Sequence, residues 1–168
     1  QLNYLFEFSK NFQLLGFNDS IMKVMPEYAV TFVENHDTGS TQGHWPIDSS
    51  DLGTAYAFLL THPGIPCVSY EHYGTETADG KGDWIVSGTE MTLHNHINYL
   101  ITLRKICGIT NTSALEVEKV EPSVYKATVK GENANIILII NPNSKTNSVP
   151  KGYKAIYSGD IWTIYTNL

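Results

Sequence analysis

The sequence lacks the features that mark membrane-spanning, disulfide-rich or disordered proteins. No uninterrupted apolar run approaches the roughly 18 residues that identify a membrane-spanning helix, and no signal peptide is recognisable. Only two residues are cysteine, Cys67 and Cys107, which is too few for a disulfide framework, although the spacing leaves a single bridge open. With 42% hydrophobic and 17% charged residues, the composition predicts a globular protein with a buried core.

Basic residues are scarce in the first half of the chain. The net charge is −6, but residues 1–90 hold 3 basic and 12 acidic groups, whereas residues 91–168 hold 8 basic and 5 acidic groups. This contrast predicts two units with different surfaces. Because nucleic-acid phosphates are bound by lysine and arginine, we predict no nucleic-acid partner, and we predict no membrane partner either.

The chain is also short. Its 168 residues allow one domain or two small ones, and they fall well below the about 250 residues of a complete (β/α)₈ barrel. The first residue is Gln1 rather than methionine, so we expect a processed chain or a fragment of a longer one.

Up to Gly108, strand-like and helix-like apolar segments alternate. The patterns predict a helix over 4–15, a buried strand over 29–33, a helix from 48 to 61, a buried strand over 65–70 and a helix over 89–107. Nearly continuous apolar strands separated by helices predict parallel pairing with helices packed outside. Cys67, inside the second strand, is expected to be buried.

After Gly108 the pattern changes to alternating strands separated by turn signals. Strands are predicted over 115–120, 124–129 and 135–140, and alternation over 154–164 is interrupted by a turn signal at 158–160. The segment 135–140, which is apolar from Ile136 onward, is expected to be the central strand. We predict a small antiparallel β-sheet domain here.

A carboxylate beside an imidazole follows the first buried strand, in the sequence Val33-Glu34-Asn35-His36-Asp37. In parallel α/β folds, active groups gather at the carboxyl ends of strands. Such a pair can serve acid–base chemistry, charge stabilisation or metal binding. From this spacing alone, a helix cap or a hydrogen-bonded loop is the more frequent outcome.

A longer stretch narrows the interpretation. Residues 32–42, FVENHDTGSTQ, closely resemble the motif after the seventh strand of α-amylases in the large retaining glycoside hydrolase clan, and the likeness continues through 44–46, HWP. Residues 55–67, AYAFLLTHPGIPC, are similar to helix seven and strand eight of plant-type and related bacterial α-amylases, and residues 97–108 are similar to helix eight. The resemblance implies the C-terminal part of a (β/α)₈ barrel, from helix six to helix eight over residues 1–108, followed by an antiparallel all-β domain over residues 109–168.

The resemblance also implies roles in the internal hydrolysis of α-1,4-glucan with retention. Asp37 matches the acidic residue that stabilises the oxocarbenium-like transition state, where a fixed anion offsets developing positive charge. His36 matches the histidine that hydrogen-bonds the sugar at the cleavage point. Trp45 and Tyr70 are the predicted aromatic contacts to the sugar, and Glu71 is expected to shape the sugar-binding subsites.

Two further carboxylates of the family have no match in the sequence. Retaining hydrolysis uses a nucleophile and a general acid/base about 5–5.5 Å apart, and both motifs are expected upstream of Gln1. The family's structural calcium is expected upstream as well, so no cofactor or metal ligand is predicted in this segment. We therefore expect the chain alone to be inactive, and to associate with the missing N-terminal half of the barrel or with itself.

Two alternatives from other functional classes stay open. One is a non-catalytic glucan-binding module, and the other is an interaction fragment that self-associates through open sheet edges. Several further residues are assigned structural or undecided roles. Glu34 and His62 are predicted structural partners, Asp79 and Asp83 solvated groups, His94 and His96 poor joint ligands, Tyr73 and Trp84 either sugar contacts or a lid on the core, and His72 undecided.

Overall fold

The structure, a computed structural model, describes residues 2, 4–16, 18–38, 44–75, 80–142 and 149–168. It contains a two-stranded parallel sheet and a five-stranded antiparallel sheet, joined through helices. Residues 39–43 of the motif and Asp79 lie outside the described residues.

The first segment forms two short helical turns instead of the single helix predicted over 4–15. A π-helical turn spans Tyr4–Ser9 and a 3₁₀ turn spans Phe12–Gly16, and between them Lys10 has a positive φ of 47°. A residue in this region interrupts helical hydrogen bonding, so the prediction of one continuous helix is wrong. Helix α1 (Ile21–Val24) and a 3₁₀ turn at Pro26–Tyr28 then lead into the first strand.

Strands β1 (Val30–Phe32) and β2 (Ile65–Cys67) are parallel and pair along their full length, as the sequence predicts. Helix α2 (Ser49–Thr61) connects them, and the carboxylate of Asp48 caps it by accepting a 2.8 Å hydrogen bond from the Ser50 amide. Both strands are shorter and more open than predicted.

The small size of the β1–β2 sheet explains why one of the two cysteines is exposed. Among the described residues β1 and β2 have only each other as strand neighbours, and Val30 is 60% exposed. Cys67 is exposed as well, so the prediction that it is buried is wrong. Cys107 is buried, and both cysteines are free thiols.

The segment after β2 forms two helices. Helix α3 (Tyr70–Tyr73) is a single turn, and helix α4 (Leu93–Cys107) begins where the Thr92 hydroxyl accepts a 3.3 Å hydrogen bond from the Asn95 amide. Helix α4 ends at Gly108, whose positive φ of 71° lets its amide reach the last carbonyls of the helix. Helix α4 packs against α2.

The antiparallel sheet agrees closely with the sequence prediction. It comprises β3 (Leu115–Glu121), β4 (Val124–Val129), β5 (Ile136–Ile140), β6 (Lys154–Ser158) and β7 (Trp162–Thr166). The strand order is β3-β4-β5-β7-β6. Strand β5 is central and buried at every position, as its unbroken apolar sequence predicts.

Two buried histidines connect the helices to this sheet. His62 Nε2 lies 2.8 Å from the Tyr125 hydroxyl on β4, which confirms its predicted structural role. His96 Nε2 lies 3.0 Å from the Gly53 carbonyl and its Nδ1 lies 2.8 Å from the Tyr157 hydroxyl on β6. Because a carbonyl only accepts, His96 carries its proton on Nε2. One hydrophobic core joins helices α2 and α4 to the antiparallel sheet, and the domain boundary at residues 108 and 109 stays a prediction.

Candidate active site

His36 and Asp37 lie just beyond the carboxyl end of β1, on the protein surface. Their side chains are 76% and 60% exposed, and His36 Nε2 lies 3.3 Å from Asp37 Oδ1. The Asn35 side-chain oxygen accepts hydrogen bonds of 3.1 Å from the amides of both Asp37 and Thr38, which fixes the turn that carries the pair. The sequence predicts that an imidazole and a carboxylate lie side by side here. In the structure both side chains are exposed, so a ligand can reach them.

Trp45, the predicted aromatic sugar contact, is 63% exposed and has a positive φ of 52°. Its indole meets the ring of Phe8 edge-on, with ring centroids 6.1 Å apart, and Phe8 in turn lies 6.1 Å from Tyr4. The helical pattern of residues 4–15 placed Tyr4 and Phe8 in an apolar stripe, yet both are more than half exposed. These two surface aromatics were missed because the predicted helix is interrupted at Lys10.

Tyr70 and Glu71 follow the neighbouring strand β2, on helix α3. Tyr70 is 70% exposed, whereas Glu71 is half-buried and its carbonyl accepts a 2.6 Å hydrogen bond from the Lys81 amide. Because the carboxyl ends of parallel strands share one edge of a sheet, these residues and the His36–Asp37 turn follow the same edge. This edge is the one that the sequence predicts as the mouth.

Tyr73 and Trp84, each predicted to be either a sugar contact or a lid on the core, differ in their environment. The Tyr73 hydroxyl donates a 3.0 Å hydrogen bond to Asn98, and its ring packs 4.2 Å from that of His94, so Tyr73 closes the core. Trp84 is 43% exposed, and the ammonium of Lys81 lies 5.4 Å from the centroid of its ring. Asp83 is exposed, as predicted.

Beneath the His36–Asp37 turn lies a buried polar network centred on Glu34. Glu34 is 2% exposed, and its carboxylate accepts hydrogen bonds from the Ile47 amide and, at 2.9 Å, from His72 Nε2. Lys81 Nζ lies 3.5 Å from the same carboxylate. On its other side His72 Nδ1 lies 2.7 Å from the Tyr56 hydroxyl. The prediction that Glu34 is a structural partner is confirmed.

The hydrogen bonds of this network place one of its protons. A carboxylate only accepts, so His72 Nε2 carries a proton and donates it to Glu34. Burial by itself would raise the pKa of Glu34, but the hydrogen bonds from His72 and Ile47 and the charge of Lys81 lower it below its ordinary value. Burial raises the pKa of Tyr56, so the phenol stays protonated. Sequence reasoning missed Lys81, because a lysine in a polar loop carries no signal of burial.

The described residues contain no group of three or more histidine, cysteine, aspartate or glutamate side chains arranged to hold a metal ion. The predicted calcium concerns sequence outside this segment and stays a prediction. Within the described ranges, no helix is both long enough and apolar enough to cross a bilayer.

Comparisons with known proteins point to one group of enzymes, although no protein-family model matches the chain. The chain is 43% identical over 109 residues to probable alpha-amylase 2 of Arabidopsis thaliana, covering 65% of the chain and 23% of that relative. It is 33% identical over 144 residues to the alpha-amylase type B isozyme of Hordeum vulgare, covering 85% of the chain and 82% of that relative.

A solved structure gives the same result for the fold. A cyclomaltodextrin glucanotransferase with a three-domain ABC distribution superposes with a TM-score of 0.69 at 21% identity, over 99% of this chain and 42% of that one. The chain therefore spans about a quarter of the Arabidopsis relative and less than half of this structural neighbour.

Proposed function

Because the chain belongs to the α-amylase family and corresponds to the C-terminal portion of its members, we propose that it completes the glucan cleft of an enzyme that hydrolyses internal α-1,4 bonds with retention. Its fold is the end of a (β/α)₈ barrel followed by an antiparallel β domain, as predicted. The observation that carries the proposal is the exposed His36–Asp37 pair at the carboxyl end of a parallel strand, inside the family's motif.

In this proposal Asp37 stabilises the transition state. Positive charge develops on the sugar ring as the glycosidic bond breaks, and a carboxylate carried on a turn whose backbone is hydrogen-bonded to Asn35 is placed to face that charge. A bound glucan would displace water from the exposed pair, which strengthens the attraction. His36 hydrogen-bonds a sugar hydroxyl, and Trp45, Tyr70 and Glu71 line the neighbouring subsites.

The proposed enzyme needs a nucleophile and a general acid that the 168 residues do not match. We propose that other parts of the barrel supply both, together with the family's structural calcium. The open side of β1 and β2 supports this arrangement. A groove of about 580 Å³ runs beside β1, lined mostly by apolar side chains, and the buried hydroxyl of Thr31 has no hydrogen-bond partner among the described residues.

The 168-residue chain alone is expected to release no reducing ends from soluble starch above the buffer rate. Mixing it with a polypeptide that carries the nucleophile and acid motifs should restore cleavage, and sedimentation velocity on the same samples should show a complex. The chain alone is expected to self-associate, because β1 and β2 pair with no further strand in the part of the chain that the structure describes. If the isolated chain cleaves starch and the Asp37→Asn variant does not, the prediction that the chain lacks two catalytic carboxylates is wrong. If the isolated chain is a monodisperse monomer, the prediction of self-association is wrong.

The Asp37→Asn variant is expected to bind maltoheptaose about tenfold more weakly than the unmodified chain. A hydrogen bond to a charged group contributes about 1.5–3 kcal/mol, and the amide keeps the shape while losing the charge. Nuclear magnetic resonance titration measures the dissociation constant. Asp160→Asn, an exposed carboxylate on a turn of the β domain, is the matched control and should bind like the unmodified chain.

The same titration tests the alternative of a non-catalytic glucan-binding module. The exposed ring of Trp45 and its neighbour Phe8 are the observation that favours it. If Asp37→Asn binds as tightly as the unmodified chain while Trp45→Ala does not bind, the module is supported and the catalytic cleft is not.

A further inference from the structure

We propose that Glu34 is a positioning residue, whose one buried carboxylate sets the relative positions of the three loop segments that form the predicted glucan-binding mouth. Glu34 is not expected to touch the sugar, since its side chain is buried. The proposal rests on the proposed function only for what the mouth binds, because the geometry that carries it is independent of any ligand.

Each partner of Glu34 belongs to a different segment of the mouth. The Ile47 amide belongs to the segment after the motif, His72 to helix α3 and Lys81 to the loop that follows α3. Glu34 itself precedes Asp37 by three residues. One carboxylate therefore joins the strand end that carries the His36–Asp37 pair to all three segments.

The same partners lie next to the predicted sugar contacts. Trp45 precedes Ile47 by two residues, and the intervening proline restricts the backbone between them. Tyr70 and Glu71 lie on the same helical turn as His72. Trp84 packs under the ammonium of Lys81, and the Lys81 amide donates to the Glu71 carbonyl. A shift of the Glu34 carboxylate therefore moves every one of these side chains.

The network is rigid because its polar groups are buried and paired. The Glu34 and His72 side chains are 1% and 0% exposed, and that of Lys81 is 11% exposed. Leaving a polar group unpaired at such a depth is unfavourable, and more so when the group is charged, so each partner is held to the carboxylate. Precise placement matters for sugar binding, because small displacements of binding groups cause large losses.

Glu34→Gln tests the proposal with the least change of shape. The amide can still accept from one partner, but its NH₂ group faces another donor, and Lys81 loses its counter-ion. Only three tryptophans occur in the chain, so the indole N–H signals report the mouth directly. We expect the Trp45 and Trp84 signals to shift beyond their linewidths, the buried Trp162 signal of the β domain to stay unchanged, and maltoheptaose binding to weaken about tenfold.

Two further variants complete the experiment. Glu118→Gln is the control, because the Glu118 carboxylate on β3 likewise accepts a hydrogen bond, from the Thr128 hydroxyl, and pairs with a lysine, Lys126, but lies in the antiparallel sheet. It should leave the Trp45 and Trp84 signals and the binding constant unchanged. Lys81→Met removes a single partner of Glu34, so it should shift the Trp84 signal and leave that of Trp45 in place.

The outcomes separate the positioning role from the proposed function. A folded Glu34→Gln protein with unshifted Trp45 and Trp84 signals overturns the positioning role. If Glu34→Gln does not fold, Glu34→Asp decides, because its shorter side chain keeps the charge but cannot reach all partners of Glu34 at once, and unshifted Trp45 and Trp84 signals then overturn the role. Should the unmodified chain not bind maltoheptaose, the proposed function fails in this assay, while the indole signals still decide the role of Glu34.

Discussion

Replacing Arg104 with methionine is expected to lower the free energy of unfolding by about 3–5 kcal/mol. The guanidinium donates hydrogen bonds to four backbone carbonyls, those of Leu60 (3.2 Å), His62 (2.5 Å), Gly64 (3.1 Å) and Thr110 (3.2 Å). The carbonyl of Leu60 lies in the last turn of α2, where no helical partner exists for it. Methionine keeps much of the aliphatic volume and leaves these carbonyls without their shared donor.

Urea denaturation followed by tryptophan fluorescence measures the loss. Lys105→Met is the matched control, because Lys105 is the neighbouring residue on α4 and is exposed, and it should change the stability by less than about 0.5 kcal/mol. Arg104→Lys should fall between the two, since an ammonium keeps the charge but cannot present the planar set of five donors. Equal stabilities of Arg104→Met and Lys105→Met would show that the carbonyl cluster does not need the guanidinium.

The sheets could be predicted from sequence because their signals are local. Strand β5 is an unbroken apolar segment between turn residues, and its burial at every position follows from that pattern. The Asp48 cap follows equally from local sequence, and the parallel pairing of β1 with β2 follows from the strand–helix–strand order. The prediction of one helix over 4–15 is wrong because nothing in the sequence marks Lys10 as a residue with positive φ.

The prediction that Cys67 is buried is wrong for a different reason. A nearly continuous apolar strand is buried when sheet neighbours and helices cover both its faces, and β2 has only β1 beside it among the described residues. The sequence pattern describes a strand that a larger sheet would enclose. Local sequence cannot state how many neighbours are present.

For the site, sequence places the residues of one strand end but not the contacts between segments. His36 and Asp37 adjoin in the chain, and the structure keeps them 3.3 Å apart. Glu34 forms hydrogen bonds with Ile47 and His72, which lie 13 and 38 residues away from it in the sequence. Such pairings depend on the tertiary fold, so the role of His72 stayed undecided and Lys81 went unnoticed.

Acidification from pH 7.5 to pH 5 is expected to lower the free energy of unfolding by about 2 kcal/mol for each of two buried histidines. Burial lowers the pKa of His62 to about 3 and that of His96 to about 4. In the unfolded chain both return to about 6.5, so the unfolded state binds their protons first as the pH falls. Their stabilising effect is complete above about pH 6.5 and is lost progressively towards pH 4 and pH 3.

Desolvation explains why protonation is disfavoured. Burial of His96 penalises the charged imidazolium, and the hydrogen bond from Nε2 to the Gly53 carbonyl offsets only part of that penalty. His62 is fully buried beside Tyr125, and the positive charge of Arg104 opposes a second cation there. Both histidines link the helices to the antiparallel sheet, so acid is expected to loosen this contact first.

Urea denaturation at intervals between pH 7.5 and 5 tests the prediction above the range in which carboxylates titrate. The double variant His62→Gln/His96→Gln should be less stable at pH 7.5 but nearly independent of pH, because glutamine can donate to the Gly53 carbonyl and does not ionise in this range. His36→Gln, which changes a 76% exposed histidine, should keep the slope of the unmodified chain. If the double variant loses stability with acid as steeply as the unmodified chain, the two buried histidines are not its cause.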